Sequence, residues 1–175
     1  ITSGIETIRR SSRSYALPTK LLQDRIIYLV SEISSESANS VIMQLLWLNS
    51  SSPNHEDINL YINSPGGSVY AGLGIKDVID SIDCKVNTLG TGMCASMGAY
   101  LIAAGSGTRR ATKNCRIMVH SVSSGQQGTF HDLQVDFKET EYLQNKMMED
   151  IAKFSGGKST VEDIESQPLR NCSLS

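Results

Sequence analysis

The sequence predicts a layered α/β domain built on a largely parallel sheet. Three observations carry that expectation. Short runs rich in β-branched residues alternate with apolar patterns of period 3.6 along the chain. Glycine-bearing turns fall where strands end and helices begin, the usual place for sites in such folds. One long amphipathic pattern runs from His131 to Phe154.

The elements follow in order. Residues 1–18 are rich in Ser, Thr and Arg, with Ile5 and Ile8 as apolar points, and read as an N-terminal arm of the kind that docks on a neighbour. Residues 19–175 read as a single domain. Arg25 to Val30 has the pattern of a buried strand. Ser34 or Ser35 is placed to cap a helix whose positions Ala38, Val41, Ile42, Leu45, Leu46 and Leu48 mostly share one face, and Pro53-Asn54 ends it. Ile58 to Asn63 is the next strand and stops at a glycine turn. Ser68 to Ile82 is helical, with Ile75, Val78, Ile79 and Ile82 on one side. Lys85 to Leu89 is a strand, Ser96 opens a helix through Ala104, and Arg116 to Ser121 is a strand carrying His120. Ser121 to Thr129 reads as a polar loop or edge strand. In the long helix, Leu133, Phe137, Leu143, Met147, Ile151 and Phe154 face one way, and the charged residues the other.

Composition excludes several classes. At 175 residues, with 39% hydrophobic and 19% charged residues, the chain has an ordinary globular balance. A net charge of −2 lacks the basic excess of a nucleic-acid surface. The 4 cysteines, Cys84, Cys94, Cys115 and Cys172, have no metal-site spacing and read as reduced, partly buried thiols. No apolar run approaches the roughly 18 residues of a membrane span, and no signal-peptide pattern opens the chain. The expected metal set is none.

Chemistry concentrates in three blocks: Tyr61-Ile62-Asn63-Ser64-Pro65-Gly66-Gly67, Gly92-Met93-Cys94-Ala95-Ser96-Met97-Gly98, and Arg116-Ile117-Met118-Val119-His120. Together they offer a nucleophile, a base and backbone N–H groups for an oxyanion, the parts that serine-based acyl transfer needs. Ser96 is the candidate nucleophile, with the Met97 and Gly67 N–H groups as oxyanion donors. The plainer alternative for Ser96 is a helix N-cap. Of the 3 histidines, His55 sits in a polar loop, His131 starts the long helix, and only His120 is a good candidate base. The sequence around Ser96 is not a GxSxG elbow, so an α/β-hydrolase is not supported.

These blocks, in this order, resemble the proteolytic subunit of the Clp protease, the ClpP family, from about Arg13 to Ser175. The resemblance implies the ClpP/crotonase-like layered fold, with a head domain and a protruding long-helix handle over roughly residues 121–155. It implies heptameric rings stacked as a tetradecamer around a closed chamber that cleaves unfolded polypeptides to short peptides. It puts the nucleophile on Ser96, the base on His120 and the oxyanion donors on Gly67 and Met97. The family's third triad member, an aspartate, falls on Asn171, with Asp163 as the nearest acid. Asparagine can accept the histidine Nδ1–H but brings no charge, so low intrinsic activity is expected. The pattern resembles the divergent second paralogue of the family, with a Ser-His-Asn triad.

Other departures from the family follow the same alignment. The residues after the histidine are Ser121-Val122 where the family has Gln-Pro. The stretch with Ser123, Ser124, Gly125 and Gln126 matches the segment that pairs with substrate and then joins rings. Arg170 matches the inter-ring arginine, without the acid that precedes it in the family. The unfoldase-docking positions fall on Asn59, Tyr61, Ser81, Leu89, Thr91 and Thr112, of which only Tyr61 and Leu89 stay apolar or aromatic, so capture of a hydrophobic anchor is weakened. The implied partner is an AAA+ unfoldase of the Clp type, bound directly or through a second, full-triad ClpP paralogue in a mixed complex. ATP belongs to that partner, and no cofactor is expected on this chain. Neither nucleic acid nor membrane is an expected partner. The expected compartment is the bacterial cytoplasm, with an organelle matrix or stroma as the alternative. Two competing functions stand beside the peptidase: a structural or regulatory ring, and an acyl-CoA hydratase or hydrolase needing an oxyanion hole but no Ser/His pair.

Overall fold

The computed structural model describes residues 17–123, 125 and 127–166. Its elements are α1 (Leu17–Gln23), β1 (Ile26–Leu29), α2 (Ser35–Ser50), β2 (Ile58–Ser64), α3 (Val69–Ser81), β3 (Val86–Ala95), α4 (Met97–Ala103), β4 (Arg109–Ala111), β5 (Arg116–Met118), α5 (Phe130–Phe154) and α6 (Val161–Ser166). Every strand pairing is parallel, in the order β1-β2-β3-β4, and β5 also pairs with β3. The mixed α/β architecture with a parallel sheet is the one the sequence predicts.

β3 is longer than expected, because it serves two neighbours in turn. Thr88 to Gly90 pair with β4, and Met93 to Ala95 pair with β5. Between these stretches the register with β2 shifts, so the chain bends without leaving the sheet. The short strand β4 is fully exposed and polar, which is why no apolar pattern announces it.

The core lies between this sheet and its helices. In β2 burial alternates along all seven residues, with Ile58, Leu60 and Ile62 at 0% exposure. α2 starts at a Ser34–Ser37 capping box and buries Ala38, Val41, Leu45 and Leu48. Leu46, placed on the same face by the sequence pattern, is instead 48% exposed. α4 is buried on every side from Met97 to Ile102, as befits a central helix. Arg25, expected at the start of the first strand, precedes β1 at φ 59° instead of joining it. Its guanidinium donates to the carbonyls of Leu48, Glu56 and Asp57, fastening the end of α2 to the sheet.

α5 is held at one end. Leu143, Met147, Met148 and Asp150 are buried, while Phe130, Val135 and Phe137 are exposed. Its start is fixed by a Thr129–Asp132 capping box, which lowers the Asp132 pKa. Farther along, Tyr100 of α4 donates to Asp150 Oδ2 at 2.9 Å, and Lys146 donates to Asp150 Oδ1 at 2.9 Å. Burial pushes the Asp150 carboxyl up, but these hydrogen bonds and the Lys146 and Lys153 charges outweigh it and hold the pKa below the ordinary value. No helix among the described residues is long and apolar enough to cross a membrane.

Candidate active site

The glycine turn is built by its neighbours. Gly66 and Gly67 have φ of 99° and 144°, a region that favours glycine. The Ile33 N–H donates to Gly66 O at 2.8 Å, and the Ser68 N–H donates to Ile33 O at 2.7 Å. Ser64, buried at the end of β2, accepts the Gly66 N–H on its hydroxyl at 3.1 Å. A Cβ on Gly66 would lie 2.6 Å from Ser96 Cβ and 3.1 Å from Met97 N. The turn therefore presses directly against the Ser96–Met97 peptide, and only a glycine backbone can come that close.

Ser96 links β3 to α4 with φ 55° and ψ −125°. A side-chain-bearing residue at positive φ is strained, and the surroundings must hold it there. The Ser96 N–H donates to Met118 O at 2.8 Å, and its carbonyl accepts from the Tyr100 N–H at 3.1 Å. Its hydroxyl makes no capping hydrogen bond. The N-cap alternative therefore fails: the helix does not use this side chain. As the first residue of α4, Met97 has a backbone N–H with no intrahelical acceptor.

His120 reaches the same place by a different route. β5 ends at Met118, opposite Ala95, because β3 offers no backbone beyond that point. His120 thus sits in a loop two residues past the strand, not on the strand as expected. Its Nδ1 lies 2.7 Å from Ser121 O. A proton on Nδ1 directed at that carbonyl leaves Nε2 as the acceptor, the tautomer a general base needs. No hydrogen bond joins Ser96 and His120 among the described residues.

The other histidines are exposed. His55 Nδ1 lies 4.0 Å from Asp83, and His131 is the second residue of α5. Asp163 is occupied in a capping box at the start of α6: Thr160 donates to its carboxylate from N–H at 2.8 Å and from Oγ1 at 2.9 Å. Asn171 and Arg170 lie outside the described residues, as do Ser124 and Gln126. Ser123 and Gly125 are exposed, and the Val122 N–H donates to Gln144 of α5 at 2.7 Å. Between α3, this loop and α5 lies an open cleft of about 290 Å³, bordered by Val69, Tyr70, Val122, Ser123 and Leu143.

On the sheet's outward face, Tyr28, Tyr61 and Leu89 fall in one register row, and the Tyr28 and Tyr61 rings meet edge-on at 6.3 Å. Asn59, Asn87 and Asp57 form a hydrogen-bonded polar border to it. Sequence reasoning missed Tyr28, and it also missed Ser64 and Ile33, which shape the turn. The position of Ser64 directly before Pro-Gly-Gly was the available signal, since serine favours the start of a turn. Among the described residues no group of three or more His, Cys, Asp or Glu is arranged to hold a metal.

A family model described as Clp protease matches residues 9–175. The glycine turn, the strained serine and the histidine loop all lie within that stretch, and the chain belongs to the Clp protease family, whose chemistry is that of a serine peptidase.

Proposed function

We propose that this chain is a serine endopeptidase subunit of a tetradecameric Clp chamber, with a Ser96–His120–Asn171 triad of low intrinsic activity. The observation that carries it is the strained, uncapped Ser96 pressed against the Gly66–Gly67 turn. In the proposed reaction Ser96 Oγ attacks the peptide carbonyl carbon while His120 Nε2 takes its proton. The oxyanion accepts from the Gly67 and Met97 N–H groups. His120 then protonates the leaving amine, and water repeats the sequence on the acyl-enzyme. Asn171 orients the histidine ring without supplying charge to the imidazolium.

The test is Asn171→Asp, assayed on small peptide esters and amides. Hydrolysis is expected to rise by about 10²- to 10⁴-fold, the range over which an orienting carboxylate matters in serine proteases. A flat response from an intact assembly would show that Asn171 is not the orienting residue. Covalent labelling of Ser96 by a fluorophosphonate is expected, and labelling argues against the acyl-CoA reading.

A second reading is supported by His120, whose ring makes no hydrogen bond to Ser96 among the described residues. In it the chain acts mainly as a partner ring for a full-triad paralogue, which binds the unfoldase in its place. The polar border around Tyr61 and Leu89 favours it. Arg170 serves ring contact, and the compartment is the bacterial cytoplasm. Mixing this chain with such a paralogue and measuring unfoldase-dependent degradation separates the two; an equal response from this chain alone removes the second.

A further inference from the structure

Two cysteines that take no part in the proposed reaction lie on the two strands that deliver its residues. Cys94 is in β3, two residues before Ser96, and Cys115 immediately precedes β5, which leads to His120. Their sulfurs are 3.7 Å apart. Cys94 pairs with Ile117 in the parallel register, so Cys115 is its diagonal neighbour on the same face. Space for both thiols comes from Gly90: a Cβ there would stand 3.1 Å from Cys115 Sγ and 3.4 Å from Cys94 Sγ. Cys94 is fully buried and its thiol donates to Ile62 O at 3.1 Å, while Cys115 is only partly buried. The third described cysteine, Cys84, is buried elsewhere, beside Arg25.

We propose that Cys94 and Cys115 form a reversible disulfide that cross-links the nucleophile strand to the base strand. The sulfurs must close from 3.7 Å to a bond of about 2.05 Å. That movement takes the Cys94 sulfur from its Ile62 acceptor and pulls on the chain two residues from Ser96. Ser96 is held in a strained conformation by hydrogen bonds and packing that fit one backbone geometry, so a small displacement there is expected to lower turnover.

The oxidant is a low-molecular-weight disulfide such as oxidised glutathione. The more exposed Cys115, as thiolate, attacks one sulfur of that disulfide, forming a mixed disulfide and expelling one glutathione thiolate. Cys94 then loses its proton and attacks the Cys115 sulfur, forming the internal S–S bond and expelling the second glutathione. Two protein thiols give up two electrons and two protons, and the oxidant becomes two thiols. Burial, then the contact with Cys115, pushes the Cys94 pKa up to about 12.

The full chain, incubated with oxidised glutathione and then alkylated, is digested without reduction. The expected product is one cross-linked peptide pair containing Cys94 and Cys115, lost on treatment with dithiothreitol and absent from Cys115→Ser and from Cys115→Ala. This mass readout needs no peptidase activity, so it stands or falls apart from the proposed function. In parallel, peptide hydrolysis by the unmodified chain is expected to drop by about 10²-fold on oxidation and to recover with dithiothreitol, while both variants keep their basal rate. Glutathione found on Cys115 alone, with Cys94 still alkylated, would overturn the proposal, as would a cross-link that forms only in denaturant.

Discussion

Ser96 and His120, the proposed nucleophile and base, are held in opposite ways. Ser96 is over-determined: its N–H is bound to β5, its carbonyl lies within α4, and the Gly66–Gly67 turn closes over it. His120 hangs from the end of a three-residue strand, with one ring nitrogen turned to the adjacent carbonyl. The first arrangement stores strain in a rigid frame, and the second fixes the ring by one contact to the Ser121 carbonyl. In the proposed reaction both groups must be aligned, so the less firmly held half is expected to limit the rate.

The comparison can be tested on either side. The largest effect belongs to the base side: Asn171→Asp should strengthen the weak half and raise hydrolysis, as set out above. On the nucleophile side, Gly66→Ala introduces a Cβ against Ser96 and Met97 N. Hydrolysis should fall by about 10²- to 10³-fold, the loss seen when an oxyanion donor is removed. Single-turnover acylation is the measurement, and an unchanged rate would mean the turn is not part of the site.

A third prediction concerns the anchor of α4, the helix that starts beside Ser96. Asp150→Asn removes the charged acceptor of the buried Tyr100 hydroxyl and of Lys146. Unfolding free energy should drop by about 2 kcal/mol at neutral pH. Because the folded pKa of Asp150 lies below its ordinary value, its contribution is fully present above the unfolded carboxylate pKa of about 3.9. It is lost as pH falls through the folded value. The gap between wild type and Asp150→Asn, read from denaturant midpoints, should therefore shrink in acid.

The smallest effect isolates the strain itself. Ser96→Gly and Ser96→Ala both remove the hydroxyl, but only glycine relaxes at φ 55°. The glycine variant should be the more stable by about 1 kcal/mol, after its larger unfolded-state entropy is counted. Equal midpoints would mean that Ser96 carries no strain.

Much of this was legible in the sequence, for reasons that differ by element. β1, β2, α2, α3 and α5 announce themselves because apolar residues recur at the period of the element they form. The Ser-Pro-Gly-Gly turn is legible because proline and glycine constrain the backbone locally. β4 was not, since Arg109, Arg110 and Ala111 are exposed and leave no hydrophobic trace. Nor was the full length of β3, whose second half pairs with β5 and, past a register shift, with the end of β2.

The site divides the same way. Order and context single out Ser96, His120 and the two glycines: their blocks fall where strands meet helices and turns, and only 3 histidines compete for the role of base. Sequence cannot say that the Ser96 hydroxyl is left free by its helix, that Ser64 and Ile33 set the glycine turn, or that His120 lies beyond its strand. Nor can it bring Cys94 and Cys115 into contact over the space left by Gly90. Those facts depend on hydrogen bonds and packing between segments far apart in the chain, and a one-dimensional pattern carries no record of which segments meet.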